Sequence, residues 1–133
     1  MAGMTTQPMT NAPVVFHYAR CSTCRKARRW LEAHEISVRW VDIVASPPSR
    51  GELLEAIQRS GQSVGKFFNT SGQSYQRGGF AARRKTMDES ECVEALAADG
   101  KLIRRPLVLA PDFALVGFRP DAWAEAWGVP AAP

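Results

Sequence analysis

The chain has 133 residues, a hydrophobic content of 45%, and a formal net charge of +4 from 17 lysines and arginines against 13 acidic residues. This length favours one domain able to bury a core without disulfide staples, and no run of the sequence is long and apolar enough to read as a membrane span. Three cysteines, an odd number with one close pair, argue against a secreted disulfide framework and for a reducing compartment, so the expected location is cytoplasmic.

Residues 1–12 contain three methionines and no periodicity, and they read as a disordered leader without the apolar run of a signal peptide. Residues 13–18, PVVFHY, are β-branched and aromatic and predict a buried first strand, with His17 as a structural histidine. Cys21 and Cys24 follow at C-x-x-C spacing, where the strand gives way to a helix over residues 22–34. A helix N-terminus carries partial positive charge that favours a thiolate, and Arg20, Arg25 and Lys26 lower the cost of a local anion further. In that geometry the first cysteine lies at the helix mouth and the second about one turn in, better covered. Cys21 therefore reads as the nucleophile and Cys24 as the resolving thiol. Two alternatives stand beside this redox reading: inert structural thiols, and a zinc site that would draw its remaining ligands from Cys92, His17 and His34.

Residues 37–43, SVRWVDI, alternate as a second strand, which the intervening helix makes parallel to the first. Ser49 with Glu52 predicts a capping box opening a helix with Leu53, Leu54 and Ile57 as its apolar positions, stopped by Gly61. A short apolar turn at 64–68 and a loop at 69–72 come next. Residues 73–82 show no period and read as irregular and exposed. Thr86 with Glu89 predicts the cap of a helix over 88–99 ended by Gly100, with Cys92 on the same buried face as Leu96. Residues 102–110 and 113–118 predict a β-hairpin about Pro111-Asp112, with Pro106 at an edge, in a turn, or in a cis peptide facing a ligand. Pro120 opens a terminal helix whose Trp123 and Trp127 pack on the sheet.

The arginines cluster at 25–29, 83–85 and 104–105, a pattern suited to oxyanions or acidic partner surfaces. The 83–85 run lacks interleaved aromatic residues, so no direct nucleic-acid binding is expected.

Strand, CxxC, helix, strand, helical region, hairpin, helix is the order of an α/β thioredoxin-like fold. The prediction is a domain over 13–128 with a mixed four-stranded sheet, a helical insertion at about 49–101 and a tail at 129–133. The motifs Cys21-Ser22-Thr23-Cys24-Arg25-Lys26-Ala27, Lys66-Phe67-Phe68-Asn69-Thr70-Ser71-Gly72, Asp99-Gly100-Lys101-Leu102-Ile103-Arg104-Arg105-Pro106 and Leu115-Val116-Gly117-Phe118 resemble the arsenate reductase (ArsC) family, which also contains Spx-type regulators. The resemblance runs from about Val14 to Trp127. It implies a Cys21 thiolate attacking arsenate, with the oxyanion met by Arg105 before a proline, Pro106, that is cis in the family. Ser22 and Thr23 of the cysteine loop, Asn69 and Arg119 complete the expected oxyanion contacts. The resemblance has two departures: Asn69 stands where glutaredoxin-coupled members carry an arginine, and Arg119 matches a third arginine only with a one-residue offset. Cys24 stands where those members lack a thiol, which favours a Cys21–Cys24 disulfide reduced by a thioredoxin-type protein over a glutathione or glutaredoxin route. No metal and no bound cofactor are expected, and the chain is expected to be monomeric. The same resemblance implies a second reading, an Spx-type regulator whose CxxC switch controls docking on the RNA polymerase alpha subunit.

Overall fold

The computed structural model describes residues 12–132, so the leader expected at 1–12 lies, but for its last residue, outside the described residues. The β-branched start of the chain forms β1, Val14–His17, which runs parallel to β2, Arg39–Asp42. Between them lies α1, Ser22–Ala33. The hairpin strands β3, Leu107–Leu109, and β4, Ala114–Val116, complete a sheet of order β2-β1-β3-β4, with β3 antiparallel to both its neighbours. The expected mixed four-stranded sheet is the one observed.

Alternation along the strands feeds two separate cores. On one face Val15 and Val108 meet Ala27, Leu31 and Trp123 of α1 and of α6, Pro120–Trp127. On the other face Phe16 and Leu107 meet α2, Arg50–Ser60, and α5, Glu89–Ala98, through Leu53, Val93 and Leu96. Val15, Leu53 and Val93 are fully buried, and each such side chain contributes about 1.5–3 kcal/mol relative to exposure. Trp123 and Trp127 pack at 5.5 Å between ring centroids, and Cys92 is buried beside Leu96, both as expected. His17 lies edge-on to Trp40 at 4.9 Å, a packing role.

The cap at Ser49 forms as predicted, with Glu52 N donating to Ser49 Oγ at 3.1 Å and Ser49 N donating to Glu52 Oε1 at 2.9 Å. Several local expectations are corrected by tertiary packing. Leu54 is 42% exposed, because Ala56 rather than Leu54 shares the inner face with Leu53. Residues 73–82 are not irregular: they hold two short helices, α3, Gln73–Arg77, and α4, Phe80–Arg83. These form because Tyr75 and Phe80 close over Phe68 with ring centroids 6.0 and 5.8 Å away, a contact that no period in so short a segment announces. The cap of α5 is Asp88 with Glu91, not Thr86 with Glu89. Gly100 does not end α5 as a left-handed cap; Asp99 closes that helix, and Gly100 instead passes so near the Ile43 carbonyl that a Cβ would overlap it.

The strand expected over 102–110 is restricted to Leu107–Leu109. Residues Gly100–Leu102 form a 3₁₀ turn, Ile103 bridges to Phe68, and the Arg105–Pro106 peptide is cis. Among the described residues no helix is long and apolar enough to cross a membrane.

Candidate active site

The site begins with how β1 hands over to α1. Cys21 N donates to Tyr18 O at 3.0 Å to close a turn, and Arg25 reaches back from the helix, donating from Nη1 to Ala19 O at 3.0 Å. Cys21 then takes the N-cap position, with extended φ −87° and ψ 119°. Its sulfur occupies the place of a capping oxygen and accepts from Cys24 N at 3.4 Å, so the thiol faces a donor that the helix leaves unpaired. Cys24 lies behind it, 2% exposed, while Cys21 is half-buried and reachable.

This geometry separates the two thiols electrostatically. Burial raises the pKa of Cys21, but hydrogen bonds from the Cys24 amide and thiol, the Arg105 charge and the Thr23 amide outweigh it and hold the thiol below its ordinary value. For Cys24 burial dominates; with the donated proton and the negative charge of Cys21 it pushes the thiol up to about 12, against smaller opposing effects from the Tyr18 backbone and Arg105. Cys21 is thus the more readily ionised sulfur, and its neighbour is held neutral beside it.

Cys21 opens into a cavity of about 550 Å³ whose walls include Thr23, Asn69, Ser71, Arg104, Arg105 and Phe118, with no carboxylate among them. Arg105 is half-buried, its guanidinium 5.1 Å from the Tyr18 ring centroid and its Nη1 donating weakly to Lys101 O at 3.4 Å. Its Nε is buried without a hydrogen-bond partner among the described residues. Asn69 is fixed by its backbone, donating to Leu102 O at 2.8 Å, and its Oδ1 accepts from Ser71 Oγ at 3.5 Å. Pro106 is buried, and its carbonyl accepts from Gly117 N at 2.9 Å, which ties the cis peptide to the end of β4.

Of the residues singled out from the sequence, the fold brings Cys21, Thr23, Asn69 and Arg105 to one cavity, with Cys24 directly behind Cys21. It does not bring Ser22 or Arg119 there. Ser22 is exposed on the first turn of α1, and Arg119 is the exposed N-cap of α6, on the wall of a neighbouring cavity of about 460 Å³. The residue that sequence reasoning passed over is Arg104, which lines the Cys21 cavity beside Arg105. In a strand, alternation would send residues 104 and 105 to opposite faces, but this segment is not a strand, and both reach the same cavity. The signal was the arginine pair itself. Arg104 is accommodated by Gly117, at φ +78°, where a Cβ would stand 3.0 Å from the Arg104 Nε.

His17, His34 and Cys92 do not join the cysteine pair, and among the described residues no group of three or more His, Cys, Asp or Glu side chains could hold a metal ion.

Comparison with known proteins bears on the family of the chain. The family model described as "ArsC family" matches residues 16–126. The uncharacterized protein YusI of Bacillus subtilis (strain 168) is 41% identical over 112 residues, 84% of this chain and 95% of YusI. The global transcriptional regulator Spx of Streptococcus agalactiae serotype V is 29% identical over 101 residues, covering 76% of this chain and 72% of that protein. The crystal structure of a possible arsenate reductase from Streptococcus mutans UA159 superposes with a TM-score of 0.76 at 35% identity, over 82% of this chain and 93% of that one. With the family model spanning nearly all of the sheet and its helices, and with the CxxC at the mouth of α1, the chain belongs to the ArsC family.

Proposed function

We propose that this protein is a thiol/disulfide oxidoreductase that reduces arsenate or a disulfide through Cys21 and Cys24. The observation that carries the reading is the pairing of an accessible N-cap thiol, favoured as thiolate, with a buried thiol whose amide donates to it at 3.4 Å. On arsenate, the Cys21 thiolate attacks arsenic and displaces a protonated oxygen as water, forming a sulfur–arsenic bond. Cys24 then loses its proton to solvent and attacks the Cys21 sulfur. The sulfur–arsenic bond breaks with its electron pair going to arsenic, so arsenate leaves as arsenite and the two cysteines leave oxidised as a disulfide. On a disulfide substrate the same two attacks expel two thiolates. In either case two electrons pass from the cysteines, and an external dithiol of the thioredoxin type restores them. Arg105, on the wall of the Cys21 cavity, supplies its guanidinium to the oxyanion as charge builds on it.

The test is NADPH oxidation coupled through thioredoxin and thioredoxin reductase, with arsenate and separately with a model protein disulfide, for the wild type and Cys21→Ser. Turnover is expected in the wild type and not in the variant; equal turnover in both refutes the role of Cys21.

The likeness to Spx supports a second reading, a regulator whose cysteine pair senses oxidation. Closing the disulfide would draw Cys24 toward the mouth of α1 and shift the exposed face carrying Arg25, Lys26, Arg28 and Arg29. Redox-dependent retention on the RNA polymerase alpha subunit supports this reading, and absence of binding in both redox states removes it.

A further inference from the structure

Next to the Cys21 cavity lies a second chamber of about 520 Å³. The two share Asn69, Ser71 and Arg104 as a common wall, and the second adds Lys66 and Arg84. Three cations thus converge on a space with no carboxylate among its lining residues. Among the described residues the ion pairs are Arg28–Glu32, Arg50–Glu94 and Arg59–Glu55, so none of the three is neutralised by a neighbour. A protein fold gains nothing from gathering unpaired like charges, since their mutual repulsion opposes folding.

The cluster is also built rather than loose. Arg84 is half-buried, donates from Nη1 to Tyr75 Oη at 3.1 Å, and lies 5.0 Å from the Phe68 ring centroid. Its guanidinium occupies space left by Gly65, where a Cβ would stand 2.7 Å from Arg84 Nη2. Arg104, exposed, runs over Gly117, where a Cβ would stand 3.0 Å from its Nε. The Arg84 guanidinium is therefore held between Tyr75 and Phe68, so less of its side-chain entropy remains to be lost on binding. Lys66, from the 3₁₀ turn Val64–Phe67, is exposed and adds a third charge to the lining.

We propose that Lys66, Arg84 and Arg104 form a second anion-binding site, which receives a phosphate or carboxylate group of a small disulfide whose sulfur reacts at Cys21. The inference rests on the disulfide chemistry proposed above and specifies the class of substrate for it. Arg104, common to both chambers, places the two ends of one molecule in register: the sulfur toward Cys21 and the anion toward Arg84.

Two measurements test it. The rate of mixed-disulfide formation at Cys21 is read by stopped flow in Cys24→Ser protein with coenzyme A disulfide, glutathione disulfide and the uncharged bis(2-hydroxyethyl) disulfide. One or both anionic disulfides are expected to lose about tenfold in rate on Arg84→Gln or Lys66→Gln, the neutral one remaining unchanged. Loss for the coenzyme A compound alone identifies a phosphate site, and loss for the glutathione compound identifies a carboxylate site. Lys66→Gln removes only an exposed side chain, so it reports on the site even where Arg84→Gln unsettles the Tyr75 packing. Equal effects on charged and neutral disulfides overturn the proposal. The second measurement is independent of Cys21 chemistry: amide shifts on titrating Cys21→Ser protein with inorganic pyrophosphate. Shifts at Lys66, Thr70 and Ser71 that vanish in Arg84→Gln support the anion site even where Cys21 reacts with no disulfide, an outcome that overturns only the assigned substrate class and the chemistry beneath it. Absence of shifts there overturns the anion site.

Discussion

The separation between the two thiols gives a sharp test through selective alkylation. A thiol pushed up to about 12 is about one part in 10⁵ thiolate at pH 7, whereas one held below the ordinary value of 9.0 is at least about one part in 100. Thiolate fraction alone favours Cys21 by at least about 1,000-fold. The less basic sulfur is the weaker nucleophile, and a Brønsted slope of about 0.4–0.5 returns roughly 20-fold of that advantage. Cys21 should therefore alkylate at least about 50-fold faster than Cys24, before the burial of Cys24, only 2% exposed, widens the gap. Cys92, buried at 4% exposure and with its thiol raised chiefly by burial, should also lag. The assay is timed iodoacetamide treatment of the reduced native protein at pH 7, acid quench, and peptide mapping of the three cysteines. Cys24 labelled within about tenfold of Cys21 would refute the argument that the helix mouth and burial divide the pair.

Removing the Arg105 charge by Arg105→Gln should raise the pKa of Cys21, seen as thiolate ultraviolet absorbance appearing at higher pH; an unchanged titration would mean that the guanidinium does not reach the sulfur. Gly117→Ala should cost about 1–2 kcal/mol in urea unfolding, since φ +78° penalises any Cβ and the added atom also presses on Arg104. An unshifted midpoint would contradict that strain. Proton NMR should place the midpoint of His17 below 6.5, because burial and then Arg28 disfavour its charged form, with Asp42 opposing, and Arg28→Gln should raise that midpoint. As the folded value is depressed, the contribution of His17 to stability is complete above 6.5 and declines as pH falls through the folded midpoint; a midpoint above 6.5 would reverse this sign.

Features that depend on neighbours along the chain are legible in the residues alone. The strand at Val14–His17, the capping box at Ser49, the hairpin, and the N-cap position of Cys21 with Cys24 one turn behind all follow from spacings of a few residues, where local sterics and capping hydrogen bonds decide. The family motifs extended that reach to Arg105 and Pro106. The rest depends on contacts between distant parts of the chain. Tyr75 and Phe80 become helical because Phe68 offers them a surface, and Leu54 turns outward because the inner face of α2 is already filled. The cavity itself joins residues 21, 69, 71 and 104–105, whose meeting depends on a segment that leaves the strand conformation before Pro106. That is why Arg104 enters the site and Arg119 does not: side-chain direction is set by the path of the backbone through the packed fold, and a pattern of residue types along the chain carries no record of that path.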